Sequence, residues 1–189
     1  MKNKLLCVLG ALVILTFTGC SNDAGNTIDT NSNDTKNVSE KTKGNCTLSE
    51  CMNQISPENT VQEINDIIGI EGELTDEKYN EYYWELSDDE GIKVTYYSSD
   101  KGTIKADFEK SKIKNSKVKF TNNEELKTKV NSGITYEEFK NYTGGVDGVL
   151  VEKSSSSNKY MWVDNDESYL TASFSLSSGL CTYFNGYVK

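Results

Sequence analysis

The chain is 189 residues long and carries 20 Lys, no Arg and no His against 29 Asp and Glu, for a net charge of −9. The lack of His excludes a Ser-His-Asp triad, a Cys-His pair and a His-ligated metal centre. The lack of Arg and the acidic balance exclude nucleic-acid binding, which rests on neutralising phosphates.

Lys2 and Lys4 precede an apolar run from Leu5 to Phe17. Its length of about 13 residues suits a signal-peptide core and falls short of the ~20 residues that span a bilayer. Phe17-Thr18-Gly19-Cys20 follows and resembles a bacterial lipobox, with Phe where Leu is usual. The resemblance implies removal of residues 1–19 and a diacylglyceryl thioether on Cys20; an ordinary secretory signal with an incidental Cys is the alternative. Two acyl chains anchor stably, because each buried methylene contributes about 0.8 kcal/mol. Residues 20–45 then read as the lipidated Cys and a flexible tether, with only Ala24, Ile28 and Val38 apolar between Ser21 and Gly44. Such a composition cannot offset its ordering entropy. A flexible chain of about 25 residues spans roughly 25–30 Å. No polybasic patch assists the lipid. The expected location is the extracytoplasmic face of a cell membrane.

The remainder, 46–189, carries one pattern twice, as repeats over 46–120 and 121–189. Thr47-Leu48-Ser49-Glu50 reads as a capping box opening a short helix. Ser56 reads as the cap of a second helix with Pro57 at its first position. Val61, Ile64 and Ile68 form one helical stripe, and Gly69 stands where the helix ends. Tyr82-Tyr83-Trp84-Glu85 and the alternation of Ile92, Val94 and Tyr96 predict strands, with turns at 88–91 and 99–102. The order then recurs. Thr121 with Glu124 precedes Leu126 and Val130; Thr135 with Glu138 makes a further capping box; Gly144 or Gly145 ends that helix. Tyr160-Met161-Trp162-Val163 and the alternation of Leu170, Ala172, Phe174 and Leu176 predict strands before a turn at 177–179. Val61 and Phe139, Ile64 and Tyr142, and the only two Trp, Trp84 and Trp162, are separated by one common interval. The expected fold is α+β, each repeat being helix-turn-helix plus an antiparallel meander of three or four strands. One such unit would be marginal alone, whereas two packed side by side can share a core.

Gly133-Ile134-Thr135-Tyr136-Glu137-Glu138-Phe139 through Gly144-Gly145, and the weaker Gln54-Ile55-Ser56-Pro57 through Val61 to Gly69, resemble the motif of the β-lactamase inhibitory protein family. They are also similar to the small outer-membrane lipoproteins of the barrel-assembly machinery, with Trp84 and Trp162 at the family's aromatic strand position. The resemblance covers about 46–189 and implies a tandem α+β fold that binds protein through the open face of its sheet and its hairpin loops. It does not imply β-lactamase inhibition.

Candidate sites follow from strand parity and from the cysteines. Tyr82, Trp84, Leu86, Ile92, Val94, Tyr96, Tyr160, Trp162, Leu170, Ala172 and Phe174 should face the helices, leaving Tyr83, Lys93, Tyr97, Met161 and Tyr169 on the open face. Tyr and Met on a sheet surface are interface material, although cross-strand aromatic pairing needs no partner. Asp89 and Asp166 lie on acidic hairpins, 88–90 and 164–167, which suit partner contact, a weak Ca²⁺ site or plain solvated turns. Cys46 and Cys51 can form a disulfide or stay reduced; Cys181 reads as a small buried residue. No spacing supports a metal site among these cysteines, and no cofactor motif is present. The sequence thus points to a non-enzymatic module that binds an extracytoplasmic protein and meets the membrane through its lipid. The alternative is an envelope sensor taking a cation or small ligand at the acidic hairpins.

Overall fold

A computed structural model describes residues 43–99, 101–120 and 123–187. Helix α1 (Leu48–Gln54) starts at the predicted capping box, where the Thr47 N–H donates to Glu50 Oε2 at 2.9 Å. Helix α2 (Val61–Ile68) does not start at Ser56. Instead Ser56 to Asn59 closes a turn, with the Asn59 N–H on the Ser56 carbonyl at 3.0 Å and the Ser56 N–H on Asn59 Oδ1 at 2.7 Å. Thr60 is the cap, because Glu63 stands three residues beyond it and returns a bond of 2.8 Å from the Thr60 N–H; Ser56 has no carboxylate at that spacing. Gly69 ends α2 in the left-handed region at φ 80°, which a side chain would disfavour.

Four strands follow: β1 (Glu73–Asp76), β2 (Glu81–Glu85), β3 (Glu90–Ser98) and β4 (Lys101–Phe108). A 3-10 turn at Lys110–Ile113 leads towards α3 (Asn123–Ser132) and α4 (Tyr136–Lys140). The capping signal predicted at Thr121 falls outside the described residues. Thr135 caps α4 as expected, and a 3-10 turn at Asn141–Thr143 carries the chain to Gly144 at φ 81°. Then come β5 (Val149–Lys153), β6 (Ser157–Val163), β7 (Tyr169–Ser175) and β8 (Cys181–Tyr187). Among the described residues the fold is therefore α+β, with four α-helices and one antiparallel sheet in the order β1 to β8. Four strands in each half fall within the three or four expected; the positions of β1, β4 and β5 add to those predicted.

Two apolar clusters lie under the sheet. The first gathers Met52, Ile55, Ile64, Ile68, Trp84, Ile92, Val94 and Ile104. The second gathers Leu126, Ile134, Phe139, Trp162, Leu170, Ala172 and Phe174. Each cluster holds one tryptophan, and each indole lies over a glycine with no room for a Cβ, Gly72 under Trp84 and Gly148 under Trp162. Trp84 Nε1 donates to Asn65 Oδ1 and Trp162 Nε1 to the Val146 carbonyl, both at 2.8 Å. Phe139 stacks on Trp162 with ring centroids 5.3 Å apart.

Strands β4 and β5 pair only at Ile104–Lys153 and Lys105–Glu152, and the register shifts in β5 beyond them. Leu150 packs against the first cluster from β5. Lys153, on the helix side, donates from Nζ to the carbonyls of Met52, Asn53 and Ile55, groups at the C-terminal end of α1 that the helix itself leaves open. At the start of the described chain, the Lys43 N–H donates to the Leu86 carbonyl and the Asn45 N–H to the Ile68 carbonyl, both at 2.7 Å. Lys43 to Asn45, assigned to the tether by composition, are thus joined to the fold.

Candidate functional site

The helices pack against one side of the sheet. Their buried residues join strand residues of a single parity in the two clusters, and that parity includes Trp84, Ile92, Val94, Trp162, Leu170, Ala172 and Phe174. Tyr82 and Tyr160 take the same side, half-buried. The opposite parity forms the open face, and Tyr83, Lys93, Tyr97, Met161 and Tyr169 all stand on it. The ladder registers link Glu73, Tyr83, Lys93, Lys105, Glu152, Lys159, Ser173 and Tyr183 into one row crossing every strand.

Each residue of this face has a distinct setting. The Tyr83 ring lies over Gly91, where a Cβ would meet it. Burial first, then the Asp107 carboxylate, pushes the Tyr83 phenol above its ordinary value. Lys93 pairs with Glu81 at 3.3 Å. Tyr97 is 73% exposed, and its hydroxyl meets Thr103 Oγ1 at 2.6 Å. Lys110 Nζ stands 3.7 Å above the ring of Tyr169. Met161 is half-buried and helps line a depression of about 310 Å³ at the β4–β5 seam. Phe108 and Val151 supply further apolar lining, and Lys105, Lys110 and Lys159 surround it. Glu152 holds Lys159 at 3.2 Å and Lys105 at 3.9 Å. These central charges escape a parity reading that omits β5. The alternation of Ile104 and Ala106 with Lys105 and Asp107 is the signal that would have found the β4 part.

The hairpin carboxylates are engaged within the chain. Asp89 accepts from Lys112 Nζ at 2.8 Å and from Ser87 Oγ at 3.0 Å; the lysine bond, then the serine bond, hold its carboxyl below the ordinary range. Asp166 Oδ1 accepts the Ser168 N–H at 2.9 Å, and neighbouring Glu167 pairs with Lys114 at 2.8 Å. Lys112 and Lys114 flank the end of the Lys110–Ile113 turn, so this connection links the 86–89 hairpin to the 164–168 hairpin along one end of the sheet. Among the described residues no three His, Cys, Asp or Glu side chains are grouped to hold a metal ion.

Cys46 and Cys51 are disulfide-bonded, with Cα atoms 5.6 Å apart. Cys181 is a buried free thiol that burial pushes up to about 11. Cys20 lies outside the described residues. No described helix is long and apolar enough to cross a membrane. The face offers hydrogen bonds, mutually neutralised charges and aromatic area; of these, aromatic side chains and Met are enriched in protein interfaces, whereas Lys and Glu are depleted.

Comparison of the chain with known protein families, curated proteins and solved structures gave no match.

Proposed function

We propose that this chain is a lipoprotein anchored through Cys20 on the extracytoplasmic face of a cell membrane, and that it binds another extracytoplasmic protein through its open sheet face without catalysing a reaction. The supporting observation is the open face: among the described residues none of the four α-helices packs on it, and the Lys110–Ile113 turn meets it at one end, over Tyr169. Tyr83, Tyr97, Met161 and Tyr169 share this face, while Trp84, Trp162 and the other large buried side chains lie on the opposite side. A Tyr-rich surface gives contact area at low entropy cost.

We further propose that the two halves descend from one duplicated unit of the β-lactamase inhibitory protein kind. Supporting this, both halves run helix, helix, four strands. Thr60 with Glu63 and Thr135 with Glu138 form equivalent caps; Ile64 and Phe139 are both fully buried; Gly69 and Gly144 are both left-handed. These pairs replace the Val61–Phe139 and Ile64–Tyr142 matches suggested by a single interval. The common interval fails at the helices because Trp162 lies 18 residues after Gly144 whereas Trp84 lies 15 after Gly69; upstream, the Ser56–Asn59 turn separates Ile55 from its cap, whereas Ile134 adjoins Thr135 directly.

The reading is tested by placing a photo-crosslinking amino acid at Tyr97, Lys105 or Tyr169 of the full chain in its native cells, with Lys127 on α3 as control. Protein adducts from the three face positions and none from Lys127 are expected. Adducts from Lys127 alone, or from no position, would refute it. The lipid part is checked separately by labelling with an alkyne fatty acid, which Cys20→Ser should abolish.

A further inference from the structure

The two edges of the sheet are built differently. Strand β1 is four residues long, carries Glu73 and Asp76, and its register shifts between Leu74 and Asp76. Short length, charge and irregularity are the devices by which edge strands refuse further pairing. Strand β8 runs Cys181-Thr182-Tyr183-Phe184-Asn185-Gly186-Tyr187, with no charge and no proline. Its one irregularity falls between its pairs with Phe174 and Ser173; from Tyr183 to Tyr187 it pairs with β7 in unbroken register.

The outer side of β8 is already competent to pair. The Cys181 N–H donates to the Ile134 carbonyl at 2.7 Å, and Thr135 forms an antiparallel bridge with Leu180. The chain then turns into α4, so this added strand stops after its first residues. Beyond it, no described strand pairs with the outer edge of Tyr183–Tyr187. Tyr183, 58% exposed, flanks that stretch on the open face.

We propose that β8 pairs antiparallel with β8 of a second copy, joining two sheets across a two-fold axis. The charge pattern selects this occupant. A chain of net charge −9 that meets its own copy along an uncharged edge strand opposes no like charges across the new ladder, and β8 is such a strand. Antiparallel two-fold pairing is also self-complementary, so a single edge supplies both halves of the interface. Each Tyr183 ring gains a cross-strand neighbour.

Sedimentation equilibrium of the full chain in density-matched detergent tests this. A concentration-dependent monomer–dimer equilibrium is expected. Tyr183→Lys with Asn185→Lys should weaken it at least tenfold, while Glu73→Lys at the opposite edge leaves it unchanged; circular dichroism verifies folding of each variant. A wild-type chain monomeric at every concentration would overturn the proposal, and that result needs no variant to fold. A double-lysine variant dimerising as tightly as wild type, or an equal loss with Glu73→Lys, would overturn it too.

Discussion

Lys153 points to the helix side of β5, where a lysine is costly, and is retained there by the carbonyls of Met52, Asn53 and Ile55. Burial lowers its ammonium below the ordinary lysine value. Lys153→Met would leave those carbonyls without their donor, so equilibrium urea unfolding should show a loss of about 1–3 kcal/mol. Gly91 acts through the space it leaves on the other face, which the Tyr83 ring occupies. Gly91→Val should displace that ring and cost about 1–3 kcal/mol, the usual penalty of overpacking. Neither residue announces its role in sequence. A lysine after a Val-Leu-Val-Glu run reads as solvent-facing, and its partners lie about a hundred residues earlier in the chain.

Helix starts are the most legible elements, because a capping box is a local signal read over four residues. Thr47 and Thr135 were readable for that reason. Ser56 misleads because Ser followed by Pro imitates a helix start, while the reciprocal carboxylate sits after Thr60. Thr60→Ala should therefore cost about 1 kcal/mol, and Ser56→Ala clearly less, in thermal or urea unfolding. The three boxes also set an acid limit. Bonds from the backbone N–H groups of Thr47, Thr60 and Thr135, then from their hydroxyls, hold Glu50, Glu63 and Glu138 below their ordinary value of 4.5. A carboxylate depressed in the folded state stabilises above its unfolded pKa and loses that contribution as pH falls through the folded one. Stability should thus decline below about pH 4.5, and Glu63→Gln should make the decline shallower. Strands β1 and β5 were not legible. The first is four mostly polar residues, and the second has a register shift that breaks the two-residue period by which β3 and β7 are recognised.

At the scale of the molecule, strand parity was enough to separate the two faces, since every predicted helix-facing residue lies on the helix side. The middle of the open face was not readable, because it forms where β4 meets β5, and that pairing depends on tertiary contacts alone. Two clusters joined by one sheet leave the open face continuous while each half buries its own tryptophan. The proposed function requires this surface to be covered in the cell and bare in the purified chain. Hydroxyl-radical footprinting compares the two states directly. Tyr97, Met161 and Tyr169 should be modified in the purified chain and protected in intact cells, with Trp84 and Trp162 protected in both. Equal modification of the three face residues in cells and in solution would contradict the account.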